Sequence, residues 1–373
     1  MHNDNRYAYD ASSVSPLSTW LLPDIMKGSS GLIIWNNKIW TQNDHTDLKI
    51  YAVDTFNINE YQSYSIPGLS HIDWEEISQD SDYLYIGDFG NNENGNRTDL
   101  KILRIEKNSV LAGSPLVDTI HFSYALQTDF SPTGANNTDF DCEAFIVTTD
   151  SIYLFTKEWL SQKTSLYAMP KLPGDYVVDY QATCDVQGLI TGSTFLESKD
   201  LIVLCGYSLL VQPFLYLLYD FKDRQFFGGN KRKISVDLPF HQVEGIATQD
   251  GLNYTISNEE FVQSFISVSQ KLHTIDLSAY LSDYLNPVPI TRVKIQHSNM
   301  LIFPNPADNE LFIEADTDAS GKPYAIVDMT GRVVLKGLLD KKMIRVNIRY
   351  LNKGSYLLII NNTNQAIFKI IKI

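Results

Sequence analysis

Cysteine is scarce in this chain, with three in 373 residues, Cys142, Cys184 and Cys205. None stands in a CxxC pair, which excludes a zinc ribbon and a disulfide scaffold. A hairpin carrying Cys184 at one strand start and Cys205 at the end of the next leaves one disulfide open. No apolar run reaches eighteen residues, so no helical membrane span is expected. The opening MHNDNRYAYD has neither a basic start nor an apolar stretch and is no signal peptide. A natural export signal is therefore expected to have been removed, with Met1 in its place. Missing too are a G-x-S-x-G elbow, an H-E-x-x-H helix, a G-x-G-x-x-G turn and a Walker loop. Serine hydrolases, zincins and nucleotide-binding folds thus lack their signatures. Basic residues are sparse before Ile290, with 18 Lys and Arg against 37 Asp and Glu; from there on the ratio is 12 to 7. So acidic a front region excludes nucleic acid and anionic membrane surfaces as partners.

What is present is repetition. Four segments open on one short motif: DWEEI at 73–77, DCEAF at 141–145, DVQGL at 185–189 and QVEGI at 242–246. A degenerate copy, GSSGL, occupies 28–32. Each precedes an aromatic-rich strand (NKIWTQND, DYLYIGDF, SIYLFTKE, LIVLCGYS, LNYTISNE) and then a third, such as LKIYAVD or KLHTIDL. Fourth strands follow in four of the five (YQSYSI, TIHFSYAL, YVVDYQAT, RKISVDL). Four-stranded repeats near 45 residues long are the mark of a β-propeller. Five blades are expected, and six if one hides in the long interval between the second and third motifs. The fifth repeat lacks a fourth strand, which residues 7–22 are expected to supply, closing the ring. The propeller spans residues 1–286 and a linker 287–300, and 301–373 forms a small Ig-like β-sandwich of about seven strands, so the whole is all-β.

The motif is the candidate site. Residues two apart on a strand share a face, so Asp73 points with Glu75 and Asp141 with Glu143. If the motif strands line the channel, these four, with Asp185, Gln187, Gln242 and Glu244, form a ring near one mouth. Crowded carboxylates raise one another's pKa values, and an oxygen-only ligand set suits Ca²⁺. Alternatively each carboxylate caps backbone amides between blades. The second strands end in polar residues at the same mouth: Asn43, Asp44 and His45; Asp88, Asn91 and Asn92; Lys157 and Glu158; Asn258, Glu259 and Glu260. His71 and His241 rim this funnel, and a ligand set of Asp73, Asp141, Asp88, His71, His241 and Glu259 follows. The loop at 88–101 is not an EF-hand, because Gly90 and Lys101 fall where the first and twelfth ligands belong.

Two resemblances add to this reading. FPNPADNEL, DMTGRVV, LNKGSYLL and the basic-apolar end FKIIKI resemble the C-terminal sorting domain of type IX secretion substrates in Bacteroidetes. The resemblance implies export through the outer membrane by the type IX machinery, to the cell surface or beyond. Residues 74–105 resemble propellers attached to such domains. More distantly, D-x-E-G/A is similar to the motif of phytase-like esterases and SdiA-regulated propellers, whose calcium ligands would correspond to Glu75, Glu143 and Glu244. Ser30 and Gln187 depart from that pattern. Two functions follow: a surface propeller that binds a glycan or protein at its mouth, with or without Ca²⁺, or a metal-supported esterase, lactonase or glycosidase.

Overall fold

The computed structural model describes residues 12–44, 47–55, 57–68, 71–286, 300–314, 321–360 and 366–373. His45, the start of the expected closing segment at 7–11 and most of the linker lie outside them. The chain divides into two compact units, 1–286 and 287–373, and both are built of strands.

The first unit contains five four-stranded sheets. Their innermost strands are Ser29–Trp35, Trp74–Gln79, Asp141–Val147, Leu189–Leu196 and Val243–Thr248. Each of these touches the next, and the fifth returns to the first, so the five close into a ring. Each innermost strand is the edge of its own sheet, and the ring covers that edge with its neighbours. Within each sheet the strands are antiparallel and sequential; in the first, Ser29–Trp35 pairs Lys38–Asn43, then Lys49–Asp54, then Tyr61–Ser65. The second and third sheets also join at their outer strands, where Val117–Tyr124 runs parallel to Gly174–Cys184.

The fifth sheet takes its outer strand from the N-terminus: Ser18–Leu21 pairs antiparallel with Lys271–Asp276. Just before it, Ser13–Val14 pairs parallel with the outer strand of the fourth sheet. Sequence-distant strands therefore hold one another, and Leu22, 1% exposed, anchors the join. A short helix, Lys107–Leu111, links the third and outer strands of the second sheet, and between that sheet and the third the described residues hold a long loop but no further sheet.

Apolar alternation along these strands fills the space between neighbouring sheets. Trp40, Trp74, Ile77, Leu84 and Leu103 pack between the first and second, while Phe89, Phe145 and Tyr167 pack between the second and third. Interiors so filled are the main source of stability. The three cysteines lie in these layers as free, buried thiols. Cys184 and Cys205 are not bonded; the Cys184 thiol meets the Tyr216 hydroxyl instead.

Each innermost strand carries a bulge near its start, at Glu75, Glu143, Thr191 and Glu244 in the second to fifth sheets. This corrects the fourth motif. DVQGL is not its strand head; the equivalent residues are Ile190-Thr191-Gly192, and Asp185 and Gln187 stand exposed in the preceding loop. There the Asp185 carboxylate accepts the Gln187 N–H, and Gln187 takes a left-handed backbone (φ 51°) that ends any strand.

The second unit has a three-stranded sheet (Leu301–Phe303, Glu310–Glu314, Met343–Asn347) and a four-stranded one. The latter is ordered Val333–Leu339, Lys322–Asp328, Gly354–Ile360, Ala366–Lys372. Both sheets bury their alternate residues, Leu311, Ile313, Ile326, Val346, Leu358 and Ile370 among them, in one core. At the DMTG turn the Asp328 carboxylate accepts the Thr330 and Arg332 N–H groups while Gly331 takes φ 85°.

Candidate functional site

The bulges decide where the motif side chains go. An extra residue on one strand breaks strict alternation and re-aims the side chain it carries. Glu75, Glu143 and Glu244 are those extra residues, and all three open into one cavity of about 200 Å³ at the ring's mouth. Asp44, Asp73 and Glu259 complete a set of six carboxyl groups there, with Ser30, Gln242, Tyr207, Trp159 and Lys157 on the same walls. Gly90 is required beneath them: a methyl group there would fall 2.1 Å from a Glu75 oxygen and 2.2 Å from one of Asp73.

Where the first and fourth sheets lack a carboxylate, a hydroxyl serves the ring itself. Ser30 donates to the backbone carbonyl of Glu75, and Thr191 to that of Val243, each tying one innermost strand to the next. Glu76 does the same with charge-bearing oxygens. Fully buried, it accepts the Ile77 N–H at 3.0 Å and, across the ring, the Ser193 N–H at 2.7 Å. Burial pushes its pKa well above the ordinary glutamate value, even against those hydrogen bonds.

Lys157 sets the electrostatics of the mouth. Its ammonium lies 2.8 Å from Glu143 with both side chains buried, and sits over the rings of Trp159 and Tyr207. Burial works against its charge, but Glu143, Glu244 and Asp141 outweigh that and hold the proton on. One ammonium does not balance six carboxyl groups. Burial, then mutual repulsion, therefore raises Glu75 strongly, Glu143 against Lys157, and Glu244 against Lys157. Asp73, less enclosed, is raised to about 6, chiefly by burial and then by the charge of Asp141. The Glu244 Oε2 atom is buried with no hydrogen-bond partner. Such an atom marks a place where something else is accepted.

Other expected site residues are placed elsewhere. Asp141 stands behind Glu143, accepting the Asn91 N–H at 2.6 Å and the Trp159 indole N–H at 2.8 Å. Asp88 is fully buried between Arg97 at 2.9 Å and Lys101 at 3.0 Å, so it fastens the 88–101 loop. His71 lies 2.6 Å from the Asp44 carbonyl, its ring against Trp74. His241 turns to the Pro239 carbonyl and His273. Neither histidine lines the cavity. Among the described residues no three acidic, histidine or cysteine side chains are placed to share one metal ion.

Sequence reasoning set Lys157 at the mouth only as one of several polar strand ends, and passed over Trp159, Tyr207 and Glu76 as site residues. A signal for Lys157 existed: its second strand ends in Thr-Lys-Glu, where others end in Asn-Asp, Gly-Asp or Asn-Glu. A cation among acidic ends is the expected counter-charge. Glu76 gave no such signal, because only the closed ring brings Ser193 across to it.

Residues 301–373 match the family described as the secretion system C-terminal sorting domain. Such a tail implies type IX secretion to the cell surface and interaction of the C-terminal unit with that machinery. No helix among the described residues is long and apolar enough to cross a membrane. No curated protein matches the chain. Among solved structures it is similar to PorZ, a surface component of the type IX secretion system of Porphyromonas gingivalis, at 13% identity and TM-score 0.32. That match covers 92% of this chain, which spans only 45% of PorZ. A GH32 β-fructofuranosidase of Bombyx mori is similar at 10% identity and TM-score 0.41, covering 97% of this chain and 88% of the enzyme.

Proposed function

We propose that residues 1–286 are a five-bladed β-propeller of a Bacteroidetes surface protein, carried out by an Ig-like sorting domain, and that its channel mouth binds a ligand without transforming it. The closed ring of five four-stranded sheets supports the blade count. One observation carries the binding reading: six carboxyl groups and one ammonium line a single small cavity with two aromatic rings, and the Glu244 oxygen inside it has no partner. Such a wall accepts hydroxyl or N–H donors, from a glycan or from a protein side chain. A glycan array and titration calorimetry on the full chain test it. Binding that Glu75→Gln weakens at least tenfold is expected, and a chain indifferent to that change loses this site.

A second reading is a hydrolase for an ester, lactone or glycosidic bond. The observation favouring it is a pair of neighbouring carboxyl groups on one cavity in unequal surroundings. Asp73 is raised to about 6 and the more enclosed Glu75 is raised well above the ordinary glutamate value by burial, as a base beside an acid requires. Turnover on a substrate panel, abolished by Glu143→Gln and Asp73→Asn, would replace the binding reading. The charge at the mouth can be relieved without calcium, because Lys157 pairs with Glu143 and burial favours the protonated forms of Glu75 and Glu244. Melting unchanged by chelator is expected; a fall restored by Ca²⁺ would bring the ion back into the site.

A further inference from the structure

The face around the mouth differs in kind from the opposite one. Innermost strands start at the mouth and second strands return to it, as Lys157, Tyr207 and Glu259 show by lining it. The loops from second to third strands, and from each outer strand to the next sheet, therefore open at this same end. Several of their tips expose apolar side chains: Ile72, Leu160, Leu210 at 83%, Phe240, Val262 and Phe265 at 92%. The last two ride on a small hairpin, Phe261–Gln263 with Ile266–Val268. At the other end the turns between first and second strands expose Asn36, Asp82, Asp150, Asp200 and Asp250 instead. Exposed Leu111, Leu116 and Leu172 are dispersed there among polar residues.

Backbone hydrogen bonds tie several of these loops to their neighbours. The Phe240 N–H donates to the Val211 carbonyl at 2.9 Å, Gly188 to Gln162 at 3.1 Å, and Glu260 to Lys27 at 2.8 Å, each tying one loop to its neighbour. Exposed apolar side chains set around a polar centre are the composition of an interaction site. The centre names the complement. It holds six carboxyl groups against one ammonium, and the buried Glu244 Oε2 lacks a donor. The cavity of about 200 Å³ has room for the head of one side chain, not for a folded element.

Resting on the reading of the mouth as a binding site, we infer that this face docks a polypeptide that inserts an Arg or Lys side chain into the mouth and lays apolar neighbours on the rim. The cation satisfies Glu244 and its companions, and the flanking residues cover Leu210, Phe240 and Phe265. A glycan would use the mouth but has no use for so apolar a rim.

The probe is a capped Leu-Phe-Arg-Phe-Leu peptide, titrated into the full chain alongside versions with Lys, Gln or Glu at the centre. Binding by the Arg or Lys peptide is expected, at least tenfold weaker for Gln and absent for Glu. Leu210→Ser with Phe265→Ser, both at exposed tips, should weaken it at least fivefold while melting stays unchanged. Equal binding of the Gln peptide, no effect of the rim changes, or no binding of the Arg peptide overturns the inference. A glycan lost in Glu75→Gln but untouched by peptide or rim changes would sink it and leave the mouth reading intact. A dimer dispersed by the rim changes would make a second copy the occupant and overturn it equally.

Discussion

At the scale of single residues, the mouth is a problem in charge that Lys157 half solves. Its pair with Glu143 is buried, and removing one member of such a pair strands the other. Lys157→Met should cost about 3–5 kcal/mol at neutral pH. Adding Glu143→Gln should recover a large part of this, which a double-mutant cycle by denaturant unfolding measures. Asp73 gives a pH signature. Its pKa near 6 exceeds the unfolded value, so the folded state binds that proton more tightly. The stability it contributes is complete below about pH 4 and is lost as pH rises through 6. The gap in unfolding free energy between the native chain and Asp73→Asn should therefore shift by about 2 kcal/mol from pH 4 to pH 7. A constant gap would show that Asp73 is not raised. Carboxylates elsewhere, such as Asp80 held down by Lys171 despite its burial, slope the other way, which is why the difference is the quantity to read.

At the scale of elements, the five innermost strands approach so closely that small residues are needed between them. A methyl group on Gly192 would stand 2.5 Å from the Glu244 carbonyl oxygen, and one on Gly31, at φ 67°, 2.6 Å from the Ile77 nitrogen. Neither neighbour is a side chain able to swing away. Gly192→Ala should destabilise the first unit by about 1–3 kcal/mol, read as a lower denaturant midpoint with an unchanged slope. The closing strand is the other sensitive element. Ser18–Leu21 completes the fifth sheet and Leu22 is buried beyond it. Deleting residues 1–22 exposes two sheet edges and should give an aggregating or poorly soluble chain, while Leu22→Ala alone should cost about 2–4 kcal/mol. A fully stable deletion variant would mean that the ring closes by another route.

For the molecule as a whole, the two units are expected to fail separately. Ala366–Lys372 is the edge strand of the four-stranded C-terminal sheet, paired with Gly354–Ile360. Removing residues 368–373 should abolish surface display in a type IX secreting host while the first unit unfolds at its usual temperature. Normal display of that variant would contradict the sorting role of the tail. The acidic excess before Ile290 gives the first unit a field that attracts cations and repels anions.

The sequence by itself determined the periodic parts. Four-strand repeats, the strands within them and the three glutamates of the motif were legible because alternation and turn chemistry are local, and the sorting tail was legible by the resemblance of its motifs to such tails. Asp73 and Glu75 do open into one cavity, though a bulge at Glu75 rather than strict alternation aims it there. Only the tertiary structure decided the rest. DVQGL looked like the fourth motif, yet a strand head is defined by what it pairs with, and Thr191-Gly192 holds that register. Asp141 has the spacing of a mouth residue but is spent on Asn91 and Trp159, which another loop brings to it. His71 and His241 sit in rim loops, but their rings are turned toward backbone carbonyls. Lys157 and Glu76 became central through partners 14 and 117 residues away. Charge balance and burial depend on which distant strands meet, and only ring closure fixes that.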